Sequence, residues 1–185
     1  MKKVCMMFAD GLEEVEALAP LDLLRRGAVD VTTVSITGKR EVTGAHQIPI
    51  LTDRLFDQVD FDQMDMIILP GGMPGTLHLE ECEPLKEKLL EFAGQKKHLA
   101  AICAAPRVLG SLGILKGKRA TCYPGNEDQL LEALVSEDFV VTDGNITTAK
   151  GMGAAVDFGL ELLRILIGEE KMQKIKDAIM YPKHS

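Results

Sequence analysis

Three short stretches carry side chains whose type and spacing could do chemistry, and a thiol leads them. Cys103 lies in KHLAAICAAPRVLGSLG, residues 97–113, where an apolar run ends in a cysteine and Pro106 follows three positions later. The residues from His98 to Ile102 suit a central parallel strand. Pro106 suits only the first turn of a helix, where its missing N–H costs nothing. The thiol is therefore expected at a strand-to-helix turn, lifted out of the sheet, where unpaired N–H groups and the positive end of the helix favour thiolate over thiol. Serine hydrolases place their nucleophile on the same strained elbow. A free cysteine among alanines is more often a small hydrophobe, so reactivity depends on what else converges on it.

A carboxylate is the second candidate. EEVEALAPLDLLRRG puts glutamates at positions 13, 14 and 16. Acidic residues in a first turn complement the helix dipole, which accounts for Glu13 and Glu14. Glu16 fits that account less well, because helical spacing puts it on one face with Leu12, Ala19 and Leu23, turned towards a core. A carboxyl group so placed needs a partner or a raised pKa. Pro20 withholds the hydrogen bond that the Glu16 carbonyl would otherwise receive, so a distortion of the helix is expected there.

The third stretch is ILPGGMPGT, residues 68–76. No Gly-Lys-Ser/Thr follows, so it is not a phosphate-binding loop of the Walker type. A tight turn at the end of a strand would expose the N–H of Gly72. With the N–H of Ala104, just after the nucleophile, it would form an oxyanion hole.

The elements that must position these groups alternate between two periods. Strands are predicted over 3–8, 29–36, 65–69, 98–102 and 119–123, and helices over 13–26, 84–93, 127–135, 153–167 and 169–180. Residues 38–50 read as short strands joined by turns. A hairpin over 139–149 is expected to turn at Asp143 and Gly144. Strands alternating with helices imply right-handed crossovers and an α/β sandwich, with a mostly parallel central sheet covered on both faces. Sites in such sheets lie beyond the carboxyl ends of the strands, where all three stretches fall.

Composition narrows the class. The 185 residues suit one domain over 1–185, and the net charge of −7 offers no broad basic surface for nucleic acid. Residues 152–167 are apolar but interrupted by Asp157, Glu161 and Arg164, so no membrane span is expected. The N-terminal apolar run is too short for a secretory signal. A cytoplasmic protein is the expectation. Cys5, Cys82, Cys103 and Cys122 show no metal-ligand spacing and the histidines are scattered, so neither a disulfide framework nor a metal site is expected.

ADGLEEVEALAPLDLLRRG, ILPGG, AAICAAP and KGMGAAVDFGLELL together resemble the ThiJ/PfpI superfamily. They are most similar to its branch of the human parkinsonism-associated protein deglycase and the bacterial ThiJ/YajL-like proteins. The resemblance implies a flavodoxin-like fold, a homodimer, Cys103 as the reactive cysteine, Glu16 as the acid bonded to its sulfur, and Gly72 and Ala104 as backbone donors. Ala104 stands where the protease-like branch has a histidine, which removes the base a peptidase needs. Tyr123 stands where many nearer relatives have a histidine. Lys150 and His46 match basic residues of an anion pocket, partly supplied across the dimer, without the planar fork of arginine. The implied activity is cofactor-free and cysteine-dependent, acting on glyoxals or glycated side chains through a hemithioacetal at an oxidation-sensitive thiol. The alternative is a non-enzymatic redox sensor or redox-regulated chaperone using the same cysteine.

Overall fold

The structure, a computed structural model, describes residues 1–182. In chain order, β1 (Lys3–Phe8), α1 (Glu14–Arg26) and β2 (Asp30–Ser35) form the first crossover. The short strands β3 (Glu41–Thr43), β4 (Pro49–Leu51) and β5 (Arg54–Leu55) follow, then β6 (Met66–Leu69), α2 (Gly75–Glu81), α3 (Glu83–Gly94), β7 (His98–Ile102) and α4 (Pro106–Ser111). The last part holds β8 (Arg119–Ala120), β9 (Leu134–Val135), β10 (Val140–Asp143), β11 (Ile146–Ala149), α5 (Ala155–Ile167) and α6 (Glu169–Ala178).

Seven strands make the main sheet in the order β10-β11-β7-β6-β1-β2-β5, parallel except for β10. Strands buried on both faces read as unbroken apolar runs, and the alternation of side chains divides each between two cores. Val4, Met6, Phe8, Ile68, Ala100 and Ile102 pack with Leu24 of α1 and with Phe158 and Leu163 of α5. Cys5, Met7, Ile67, Leu69, Leu99 and Ala101 pack on the other face with Leu85, Leu89 and Phe92 of α3 and Val108 of α4. The chain leaves β1 towards β2 on one side, and β6 then takes the other side of β1. The strand order thus reverses between β1 and β6, and the loops leaving their carboxyl ends part around a crevice.

Several expectations change. Residues 127–135 do not form a helix: a single 3-10 turn, Glu127–Gln129, is followed by β9. Their helix propensity is overridden by tertiary pairing, as β9 lies parallel to β8 and Leu134 N donates to Lys118 O at 2.8 Å. Glu132, at φ 58°, also interrupts any helix there. The strand expected over 119–123 shrinks to Arg119–Ala120 and pairs with β9 outside the main sheet. Asp143 pairs with Ile146, so the hairpin turns at Gly144 and Asn145, one residue later than expected. α2 was not anticipated, since Gly75 and Thr76 disguise its start. Despite Pro20, α1 is continuous, and α5 crosses it at Gly159, where a Cβ would come within 3.0 Å of Pro20 Cα.

Candidate active site

Cys103 adopts φ 65°, the left-handed conformation that costs a non-glycine residue about 1–3 kcal/mol and persists only where its surroundings impose it. Two backbone hydrogen bonds impose it here. Its N–H donates to Ala149 O at the end of β11 (2.9 Å), and its carbonyl accepts from Tyr123 N (2.8 Å). The elbow is thus tied to the neighbouring strand and to the segment after β8. α4 is only six residues long, so its dipole is small. Polarity at the half-buried sulfur comes instead from the backbone N–H groups of Gly72 and Ala104, which favour its charged form.

Glu16 enters from α1, across the crevice. Its N–H is capped by Glu13 Oε2 at 2.7 Å, and Glu13 N donates to Gly71 O at 2.9 Å, which couples the start of α1 to the loop after β6. Only 2% of Glu16 is exposed, and its Oε2 has no hydrogen-bond partner. A buried carboxylate oxygen without a donor is costly unless the group carries a proton. Gly71 and Gly151 make room for the pair. A Cβ on Gly71 would collide with Glu16 Oε2 and approach Cys103 Cβ to 2.5 Å, and one on Gly151 would stand 3.6 Å from Glu16 Oε1 and 3.9 Å from Cys103 Sγ.

Burial pushes the Glu16 carboxyl up to about 7, a rise opposed by its hydrogen bond with Cys103 and reinforced by the charge of Glu13. Burial also pushes the Cys103 thiol up to about 12, Glu16 adds to the rise, and the N–H groups of Gly72 and Ala104 pull against it. Two acids in contact cannot both ionise cheaply, so they hold one proton between them and titrate as a pair. The sequence-based expectation of a helix-stabilised thiolate is corrected accordingly. The sulfur carries charge only while Glu16 keeps the proton.

The structure brings Cys103, Glu16, Gly72 and Ala104 together. Tyr123 stands at the mouth, 53% exposed, with Cδ2 3.3 Å from the position a Gly151 Cβ would take. Cys122 points the other way into the core, 3% exposed, as expected of neighbours in an extended segment. Lys150 pairs with Glu137 at 2.8 Å and lies 5.9 Å from the ring centre of Phe139. His46 pairs with Glu14 at 2.7 Å. Although the histidines are scattered in sequence, folding brings ligand atoms of His46, Glu13 and Glu14 within 4.8 Å of one another, a grouping that acidic residues commonly make without an ion. Sequence reasoning missed Gly71, Gly151 and the reach of Glu13. Their signal, glycines beside strand ends and a third acid in one turn, does not say which atoms approach.

Residues 2–165 match the pattern of the DJ-1/PfpI family. The chain belongs to that family. It is 36% identical over 181 residues to Protein DJ-1 homolog B of Arabidopsis thaliana, covering 97% of this chain but 41% of that longer protein. It is 32% identical over 170 residues to a protein of Pyrococcus abyssi named a deglycase, covering 89% of this chain and 99% of that one. The structure of oxidized Toxoplasma gondii DJ-1 superposes with a TM-score of 0.95 at 32% identity, covering 99% of this chain and 100% of that one. The fold is the flavodoxin-like sandwich that the sequence motifs implied.

Proposed function

We propose that this DJ-1/PfpI member is a cysteine-dependent enzyme of carbonyl stress that acts on glyoxals or early glycation adducts. The observation that carries the reading is the half-buried Cys103 sulfur facing the buried Glu16 carboxyl, with the N–H groups of Gly72 and Ala104 converging on it. The deglycase name of the Pyrococcus abyssi relative supports it.

In this reading the Cys103 thiolate adds to the aldehyde carbon of a glyoxal, and the π pair moves to oxygen between the two N–H donors. Glu16 gives that oxygen its proton, leaving a hemithioacetal. The Glu16 carboxylate next removes the proton from the same carbon to form an enediolate. Return of that proton to the neighbouring carbon, with the hydroxyl proton passing to the adjacent oxygen, leaves an α-hydroxy thioester, which water hydrolyses to a hydroxy acid, freeing the thiol. Substrate and water balance the product, and one acid–base group serves throughout. A peptidase reading lacks support, since the groups acting on Cys103 include no histidine.

The decisive experiment measures D-lactate from methylglyoxal, and glycolate from glyoxal, with the wild type and Cys103→Ala. Turnover that disappears in the variant is expected. Absent turnover, or turnover that survives the substitution, would contradict the proposal and favour the second reading, a redox sensor or redox-regulated chaperone. The oxidized state of the Toxoplasma gondii relative supports that second reading.

A cytoplasmic homodimer is part of the proposal. Val15 and Leu18 of α1 and Ile48 and Leu51 around β4 are exposed, Leu51 by 68%, and they offer an apolar contact for a second copy. A sedimentation experiment should give the dimer mass, and a monomer would contradict this. Among the described residues no helix is long and apolar enough to cross a membrane.

A further inference from the structure

A second cluster of titratable groups lies one step from the sulfur. His46, in the loop between β3 and β4, donates its backbone N–H to Glu14 Oε1 at 2.8 Å and sets its ring Nδ1 2.7 Å from Glu14 Oε2. The same Nδ1 is 4.0 Å from Glu13 Oε1, while the other oxygen of Glu13 caps the N–H of Glu16 at 2.7 Å. The loop is held in place. Gly11 N donates to Thr43 O at 2.8 Å, Ala45 N to Leu12 O at 2.7 Å, and Asp10 Oδ1 accepts from Thr43 N at 2.8 Å. Gly44 lies so close to the buried Glu14 carboxyl that a Cβ there would collide with it. Glu13 also reaches the donor side of the site, through its N–H on Gly71 O and its close contact with Gly72.

Capping alone does not call for a charge at position 13. Asn, Asp or Ser caps a helix well, and a neutral side chain would give Glu16 N the same acceptor. A carboxylate there adds an acid next to Glu16, and His46 adds a titratable cation next to that acid. The charged groups that face His46 are Glu14, the first residue of α1, and Glu13, which caps it; beyond them lie Glu16 and Cys103, with Asp10 on the neighbouring loop.

We propose that Glu13, 4.0 Å from the ring of a His46 that pairs with Glu14, is the positioning residue for the proton held between Glu16 and Cys103, so that the charge on His46 tunes the reactivity of the sulfur. The sign follows from electrostatics. A negative charge at Glu13 makes loss of a proton from the pair harder, and a positive charge at His46 makes it easier. The ring of His46 is well exposed, so water and salt screen it and its influence is the smaller of the two. The inference rests on the Glu16–Cys103 pairing and not on which carbonyl is turned over.

The test is the pH profile of Cys103 alkylation by iodoacetamide in the full chain. Glu13→Gln, which keeps the cap but loses the charge, should move the inflection to lower pH. His46→Gln should move it to higher pH. The expected displacement is about half to one pH unit for Glu13→Gln, roughly threefold to tenfold in rate at a fixed pH on the rising limb. Opposite directions are the signature that a purely structural role would not give. Glu13→Asn, another good neutral cap, should repeat the Glu13→Gln result and serves if the latter folds poorly. Shifts in the same direction, or no shift in either variant, would overturn the inference, and a shift in the Glu13 variants alone would remove His46 from it. Glu16→Leu, run beside them, separates the failures. If its profile superimposes on the wild type, the pairing itself is wrong; if it shifts while the Glu13 and His46 variants do not, only this inference falls.

Discussion

A side chain on Gly71 would occupy the space of Glu16 Oε2. The same Cβ would stand 2.5 Å from Cys103 Cβ and 2.7 Å from Ile102 O, so it has no free direction in which to relax. Gly71 is therefore as much a part of the candidate site as Glu16 and Cys103. Gly71→Ala should displace Glu16 from the sulfur and lower Cys103 alkylation by on the order of tenfold to a hundredfold, as small misplacements of reacting groups do. Gly94→Ala, where an added Cβ meets nothing within 4 Å, is the control and should leave the rate unchanged. Equal rates in the two variants would contradict this prediction.

Glu16 also sets a pH window for stability. Its carboxyl rises from 4.5 to about 7 on folding. An acid whose folded-state pKa is raised contributes stability that is fully present below the unfolded value and is lost as pH climbs through the folded one. The loss falls between pH 4.5 and about 7 and amounts to roughly 3 kcal/mol at most. Glu16→Gln should therefore gain on the wild type across that window. Thermal or urea unfolding of both proteins on either side of it measures the difference, and a gap that does not widen with pH would contradict the account.

Thiol chemistry should be selective. Burial raises the thiols of Cys103, Cys5 and Cys122 alike, so selectivity rests on access: Cys5 and Cys122 are 0% and 3% exposed, whereas Cys103 is only half-buried and opens on the crevice. Substoichiometric peroxide should oxidise Cys103 first, to sulfenic and then sulfinic acid. Peptide mass spectrometry reads the order. Because Cys122 faces the core away from the pocket, a Cys103–Cys122 disulfide is not expected, and its detection would overturn the assignment of Tyr123 to the pocket side.

Much of this was legible in the sequence, for identifiable reasons. The unbroken apolar run ending at Ile102 and the proline at position 106 located the elbow, because a central strand and a first helical turn each demand those residues. The inward face of Glu16 followed from helical spacing. Other features depended on contacts that no local pattern records. Residues 127–135 have the composition of a helix, yet β8 recruits Leu134 and Val135 into a strand. Lys150 and His46 match basic residues of an anion pocket partly supplied across the dimer; within the single chain they pair with Glu137 and Glu14, partners that no local pattern specifies. Gly71 and Gly151 were invisible as site residues because only the assembled crevice shows what a side chain there would strike.

The claim on which the account turns is that Glu16 keeps a proton and donates it to the Cys103 sulfur. The pH dependence of iodoacetamide alkylation in the wild type, Glu16→Gln and Glu16→Leu tests it most directly. Glu16→Leu removes the donor, and a hydrogen bond to a charged group contributes about 1.5–3 kcal/mol. The variant should therefore react at least roughly tenfold more slowly than the wild type below the Glu16 titration, with Glu16→Gln, a neutral donor of the same shape, close to the wild type. If Glu16 were ionised there, its charge would oppose the thiolate and both substitutions would speed alkylation. That outcome, or three superimposable profiles, would contradict the account.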